Sequence, residues 1–156
     1  MKKLALLITI LICSSSLCLS AQEKKETAKP DPMGITYEQF ESWMKTLKPL
    51  GFPFTETGKN GPEWMATFVQ GTKMIGITLA PLSSFEDYKK MKNVTTYEFK
   101  GHRAAFYGTQ NFWNLSVELK ALNACFQITT VYTDAKQADL EKTLIDSGAL
   151  DKTTNK

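Results

Sequence analysis

The sequence predicts an α+β domain in which amphipathic helices pack on one face of an antiparallel β-sheet. Three observations lead to this class: segments that alternate apolar and polar residues, short turns between them, and three segments with apolar residues at helical spacing. We expect about six to seven strands, with a four-stranded meander over residues 94–132.

Three helices are predicted, each with a polar capping residue followed three positions later by Gln or Glu. The first begins at Thr36 and ends before Pro49, the second begins at Ser83, and the third begins at Asp134 and ends at Gly148. The residues on their apolar faces are, in chain order, Phe40, Trp43, Met44 and Leu47; Phe85 and Tyr88; and Ala138, Leu144 and Ile145.

The strands fall into two groups, one on each side of the second helix. In the first group, residues 63–70 and 73–80 flank a Gly71-Thr72 turn, and residues 52–56 form a possible edge strand because Pro53 suits an edge. In the second group, Lys100-Gly101 is the predicted turn, which places Arg103 opposite Glu98.

Two further turns, at residues 108–111 and 121–124, complete the meander. They place Phe106 opposite Trp113, Arg103 opposite Ser116 and Glu118 opposite Gln127. All three turns agree on one apolar face, made of Tyr97, Phe99, Ala104, Phe106, Trp113, Leu115, Val117, Leu119, Phe126 and Ile128. The other face collects Glu98, Arg103, Asn114, Ser116, Glu118, Gln127 and Thr129, together with Tyr107 and Phe112.

The first 21 residues read as a secretory signal peptide, with a positive start, an apolar run and small residues before the expected cut. We expect residues 22–35 to be a flexible linker, 36–150 a single domain and 151–156 a disordered tail. The protein is therefore expected to be exported, to the periplasm or the extracellular space. Membrane attachment would require lipidation at Cys13 or Cys18, but neither follows a small residue.

Composition excludes several classes of function. Removal of the leader takes Lys2 and Lys3 from the 19 basic residues and leaves 17 basic against 16 acidic residues. This nearly neutral charge does not favour binding to nucleic acid. Cys125 would then be the remaining cysteine, so neither an internal disulfide nor a cysteine-based metal cluster is expected. One histidine and one cysteine also make a zinc site improbable, and we expect neither a metal nor another cofactor.

The only histidine and the only arginine of the chain, His102 and Arg103, are neighbours but should point to opposite faces of a strand. His102 would have to be the base of any hydrolytic site, whereas a position at the rim of the core is the commoner explanation. Arg103 could bind an anion, but a cross-strand ion pair with Glu98 on a solvated face is the favoured explanation. Glu98 and Glu118 could form a general acid/base pair, although charges on a wet sheet face are more common.

Cys125 falls on the polar face, where nearby Lys120 could stabilise a thiolate, but a partly covered small side chain without reactivity is the favoured interpretation. Aromatic residues and methionines, Trp43 and Trp113 among them, could line a cavity for an apolar ligand, but such residues more often form core. We therefore expect no catalytic residues and a non-enzymatic domain that binds a protein partner or ligand through its polar sheet face. The residues expected to bind are Arg103, Glu118, Gln127, Tyr107 and Phe112. The alternatives are a carrier of a small apolar ligand and, third, a hydrolase dependent on His102.

Overall fold

The computed structural model describes residues 33–152, which form three α-helices and seven strands. The predicted signal peptide, most of the predicted linker and residues 153–156 of the predicted tail lie outside the described residues. The helices are α1 (Tyr37–Thr46), α2 (Ser83–Tyr88) and α3 (Gln137–Asp146). The strands are β1 (Phe54–Asn60), β2 (Glu63–Gln70), β3 (Lys73–Pro81), β4 (Thr95–Phe99), β5 (His102–Thr109), β6 (Phe112–Leu119) and β7 (Ala124–Val131).

The strands of residues 33–152 form one antiparallel sheet in the order β1-β2-β3-β7-β6-β5-β4, which confirms the α+β class. The predicted meander is the run from β4 to β7. It joins the first group of strands through pairing of β3 with β7, which the local sequence pattern could not indicate. The strand predicted at residues 52–56 is the edge strand β1, which extends to Asn60.

The predicted register is correct at one turn and shifted by two residues at the other two. Lys100 and Gly101 both have positive φ, 50° and 80°, and Glu98 lies opposite Arg103 as expected. The next turn is tighter than predicted, so Phe106 pairs with Leu115 instead of Trp113. Between β6 and β7, a 3₁₀ turn at residues 120–122 pairs Glu118 with Cys125 instead of Gln127.

A shift of two residues leaves every side chain on the same face, because strand side chains alternate with a period of two. All ten residues of the predicted apolar face accordingly lie in the main core or against it. Helices α1 and α3 cover this face. The ring of Trp43 on α1 stacks on Phe126 of β7 with 5.4 Å between ring centroids, and the Trp43 Nε1 donates to the Ser147 carbonyl at 2.8 Å.

Helix α2 differs from the expectation that the helices share one face of the sheet. Its Phe85 packs with Ala80, Ala105 and Cys125, which alternate with residues of the main core and therefore point to the opposite side. Tyr88 packs against the same small cluster. The apolar face predicted for α2 is confirmed, but it faces the polar side of the sheet.

The helix caps follow the sequence only in part. Thr36 and Gln39 form the predicted capping box at α1. At α2, the position before the helix is Leu82, without a side-chain cap. At α3, Asp134 is not the cap, because the helix begins three residues later and Asp139 accepts from the Lys136 N–H at 2.8 Å.

Met33, which falls in the predicted linker, is fully buried in the main core.

Candidate functional site

Arg103 lies on the polar side of the sheet, where it contacts two carboxylates. Its Nε donates to Glu118 Oε2 at 2.9 Å, and its terminal nitrogen forms an ion pair with Glu86 of α2. The guanidinium carbon lies 5.0 Å from the centroid of the Phe85 ring. The predicted ion pair with Glu98 is wrong, although the two residues are opposite in register. With two carboxylates already bound, Arg103 is a poor anion receptor, and its pair with Glu86 links α2 to the sheet.

The register explains why Glu118 is the partner. Ala104 pairs with Val117, so continuing the same antiparallel ladder by one residue brings Glu118, not Ser116, beside Arg103. The Glu118 side chain is only 7% exposed, and Lys120 Nζ lies 3.9 Å from the same oxygen that Arg103 holds. Glu98 lies on the far side of Arg103, two strands from Glu118 and therefore roughly 10 Å away. This separation does not favour a joint acid/base site.

Cys125 is buried beneath α2, and its thiol is not activated. Burial raises the pKa of Cys125 to about 12, and this effect outweighs the weak contact from the Gln127 amide nitrogen at 3.7 Å. The thiolate that Lys120 could have stabilised at this position is therefore disfavoured, and Cys125 lies on the face that the sequence predicted.

His102 lies half-buried at the rim of the core, as expected. Its Nδ1 is 3.0 Å from the backbone oxygen of Glu118. The nearest hydroxyl candidate on β6, Ser116, is fully buried on the other side of the sheet, where it donates to Asn114. The described residues therefore do not bring His102 together with the nucleophile that a hydrolytic triad requires.

The remaining predicted site residues, Gln127, Tyr107 and Phe112, lie on the part of the polar side that continues beyond α2. We call this area the open face. The Tyr107 and Phe112 rings lie 6.1 Å apart. Most side chains of the open face are partly exposed and uncharged; they are Met65, Thr67, Val69, Met74, Gly76, Thr78, Tyr107, Phe112, Gln127, Thr129 and Val131. Two carboxylates border them on the β1 and β2 side, Glu56 opposite Thr67 and Glu63 at the start of β2.

One row of the open face is apolar across four neighbouring strands. Val69 pairs with Met74, Met74 with Val131, and Val131 with Phe112. We call these four residues the apolar row. In the next row, Gly76 lies between Thr67 and Thr129 and leaves a gap in the side-chain layer, since an added Cβ would approach nothing closer than 3.9 Å. The sequence pattern missed this row because its four members come from four separate strands.

The interior between the sheet and α1 is occupied by side chains. Phe40 and Phe126 are fully buried, and Trp43 is 8% exposed. A cleft of about 680 Å³ does reach Trp43, but it lies along the outer side of α1 between Ile35 and Lys152, and its other lining residues are polar. This packing does not favour the predicted cavity for an apolar ligand.

Within residues 33–152, no group of three His, Cys, Asp or Glu side chains is placed to hold a metal ion. None of the helices in the same range has the length and hydropathy needed to span a bilayer. No family model, curated protein or solved structure matches this chain.

Proposed function

We propose that this chain is an exported, non-enzymatic domain that binds a protein partner through the open face of its sheet. The observation that carries the proposal is the apolar row of Val69, Met74, Val131 and Phe112, whose side chains are contiguous and partly exposed. A sheet face in contact with water ordinarily carries polar residues. Contiguous exposed apolar side chains more often belong to interaction surfaces.

The composition of the open face defines the chemistry of the partner. The apolar row and its threonine neighbours carry no charge, so the partner should present uncharged, apolar groups at the centre of its contact surface. Phe112 and Tyr107 supply aromatic rings, which frequently carry binding energy in protein interfaces. Arg103 and Glu118 are excluded from the proposed contact surface because their charged groups bind each other.

The non-enzymatic part of the proposal rests on the surroundings of the reactive side chains. His102 contacts a backbone oxygen, and Cys125 is buried with a raised pKa. Export rests on the pattern of residues 1–21 alone. Intact mass measurement of the protein from its native cells tests export, because cleavage should remove the first 20 or 21 residues. A mass that includes the leader would contradict it.

Photo-crosslinking in cells tests the binding surface. A photoreactive residue at Met65, which is 39% exposed on the open face, should give a discrete protein adduct. The matched control is Ile145, which is 43% exposed on α3 at the other side of the molecule and should give no such adduct. In addition, Met74→Lys should abolish the Met65 adduct while the variant stays folded. The proposal fails if both positions give the same adducts, or if Met65 gives none.

A further inference from the structure

Helix α2 is attached to the sheet through a cluster that is separate from the main core. The buried members of this cluster are Phe85 of α2 and three small residues of the sheet, Ala80, Ala105 and Cys125. Phe85 is thus the single fully buried side chain that α2 contributes. Opening of α2 would expose this cluster and leave the packing of α1 and α3 on the sheet unchanged.

Apart from the Tyr88 ring, which packs against the same cluster, the polar attachments of α2 are exposed. Glu86 pairs with Arg103 and Lys89, but its side chain is 44% exposed and that of Arg103 is 48% exposed. Exposed ion pairs stabilise a structure only weakly because water competes for both charges. The helix has six residues and no side-chain cap, so it has little stability of its own.

The closed position of α2 also leaves one polar group unsatisfied. The Tyr88 hydroxyl is buried without a hydrogen-bond partner among the described residues. A buried hydroxyl without a partner disfavours the state that buries it, because the group loses its hydrogen bonds to water. Opening of α2 would let water reach this hydroxyl.

We infer that α2 is a lid that opens as a local unit while the main core stays folded, and that opening uncovers Ala80, Ala105 and Cys125. Ala80 pairs with Cys125 in the row directly beyond Thr78 and Gln127. The uncovered surface is therefore continuous with the open face and enlarges its apolar area. Local opening does not depend on whether the open face binds a partner.

The Cys125 thiol reports on this opening in the purified protein. In the closed state burial raises the pKa of Cys125 to about 12, so reaction near pH 8 requires an opened molecule in which the thiol ionises normally. With an aromatic disulfide reagent, the thiolate attacks one sulfur, a mixed disulfide forms, and one aromatic thiolate leaves and is counted by its absorbance. The thiol proton goes to the buffer.

We expect the wild-type protein to react with the reagent faster than it unfolds globally, at a rate that rises much less steeply with urea than the global unfolding rate, because opening of α2 exposes only a small part of the surface. Glu86→Gln removes the ion pairs of the lid and should raise the reaction rate roughly two- to tenfold. The matched control is Glu41→Gln, which removes a comparable exposed pair with Lys45 on α1 and should leave the rate unchanged. Phe85→Leu, which weakens the apolar anchor, should raise the rate further.

The inference is wrong if Cys125 reacts only at the rate of global unfolding, measured independently in urea. It is equally wrong if Glu86→Gln and Glu41→Gln change the rate to the same extent, since lid and main core would then open together. If Glu86→Gln proves too unstable to assay, the comparison of Phe85→Leu with its own global unfolding rate decides the question.

Discussion

The Trp113 ring lies across Gly108 of β5 and leaves no room for a side chain at that position. Replacing Gly108 therefore tests this packing directly. A Cβ built at Gly108 would lie 1.8 Å from Trp113 Cε3 and 1.9 Å from Cζ3. Trp113 is the residue opposite Gly108 in the sheet, and its ring stacks on Phe106 with centroids 5.6 Å apart and planes 14° apart. Gly108→Ala must therefore displace Trp113 from this stack.

The expected loss of stability follows from two opposing effects. Overfilling a packed site costs about 1–3 kcal/mol. Replacing a strand glycine by alanine offsets about 0.5–1 kcal/mol of this, because the unfolded chain loses freedom. The net cost is therefore about 0–2.5 kcal/mol, with a central value of about 1 kcal/mol. Unfolding entropy of about 2.1 cal/mol/K per residue over about 120 residues makes each kcal/mol worth about 4 °C, so the central value corresponds to a fall in Tm of about 4–5 °C.

Gly76→Ala on β3 is the matched control, because the added Cβ meets only Thr129 Cβ at 3.9 Å. Without a clash, alanine should stabilise the strand by about 0.5–1 kcal/mol and raise Tm by about 2–4 °C. Calorimetry of both variants measures the contrast. In a double-mutant cycle, Trp113→Leu should cost less in the Gly108→Ala background than in the wild type. If Gly108→Ala melts at or above the wild-type temperature, the packing argument for Trp113 is refuted.

Two further predictions concern pH and helix capping. Burial raises the pKa of Cys125 from 9.0 to about 12, so the folded state holds this proton more tightly and its stability falls as the pH rises from 9 towards 12. Cys125→Ala should reduce this loss of stability by on the order of 3–4 kcal/mol. Urea unfolding at pH values between 9 and 12 measures the difference. Identical pH dependences of stability in the two proteins would contradict the burial of the thiol. Thr36→Ala removes the cap of α1 and should cost about 1 kcal/mol, or about 4 °C in Tm. Ser83→Ala should cost much less because α2 lacks a side-chain cap, and equal losses would count against the Thr36 cap.

The two faces of the meander strands were predictable because the alternation of apolar and polar residues is visible within each strand. The two register errors were both shifts of two residues, and an even shift keeps every side chain on its face. The errors mattered for the site, however. They placed Ser116 rather than Glu118 beside Arg103, and the length of each turn decided which residue lay there.

Helix starts were predictable only where the capping side chains had no competing partner. Thr36 and Gln39 face solvent and cap α1 as their spacing predicts. Glu86 has the same spacing from Ser83, but its carboxylate is bound by Arg103 on a distant strand. Asp134, predicted to cap α3, instead pairs with Lys73 at 3.1 Å.

The sequence by itself determined the α+β class, the three helices, most strands and the division of the meander into two faces. Each of these depends on residues close together in the chain, whose spacing is visible in one dimension. The pairing of β3 with β7, the side of the sheet on which α2 lies and the assembly of the apolar row were decided only in the tertiary structure. They depend on contacts between segments far apart in the chain. These contacts divided the predicted five-residue site into an ion-pair cluster beside α2, at Arg103 and Glu118, and an open face beyond it.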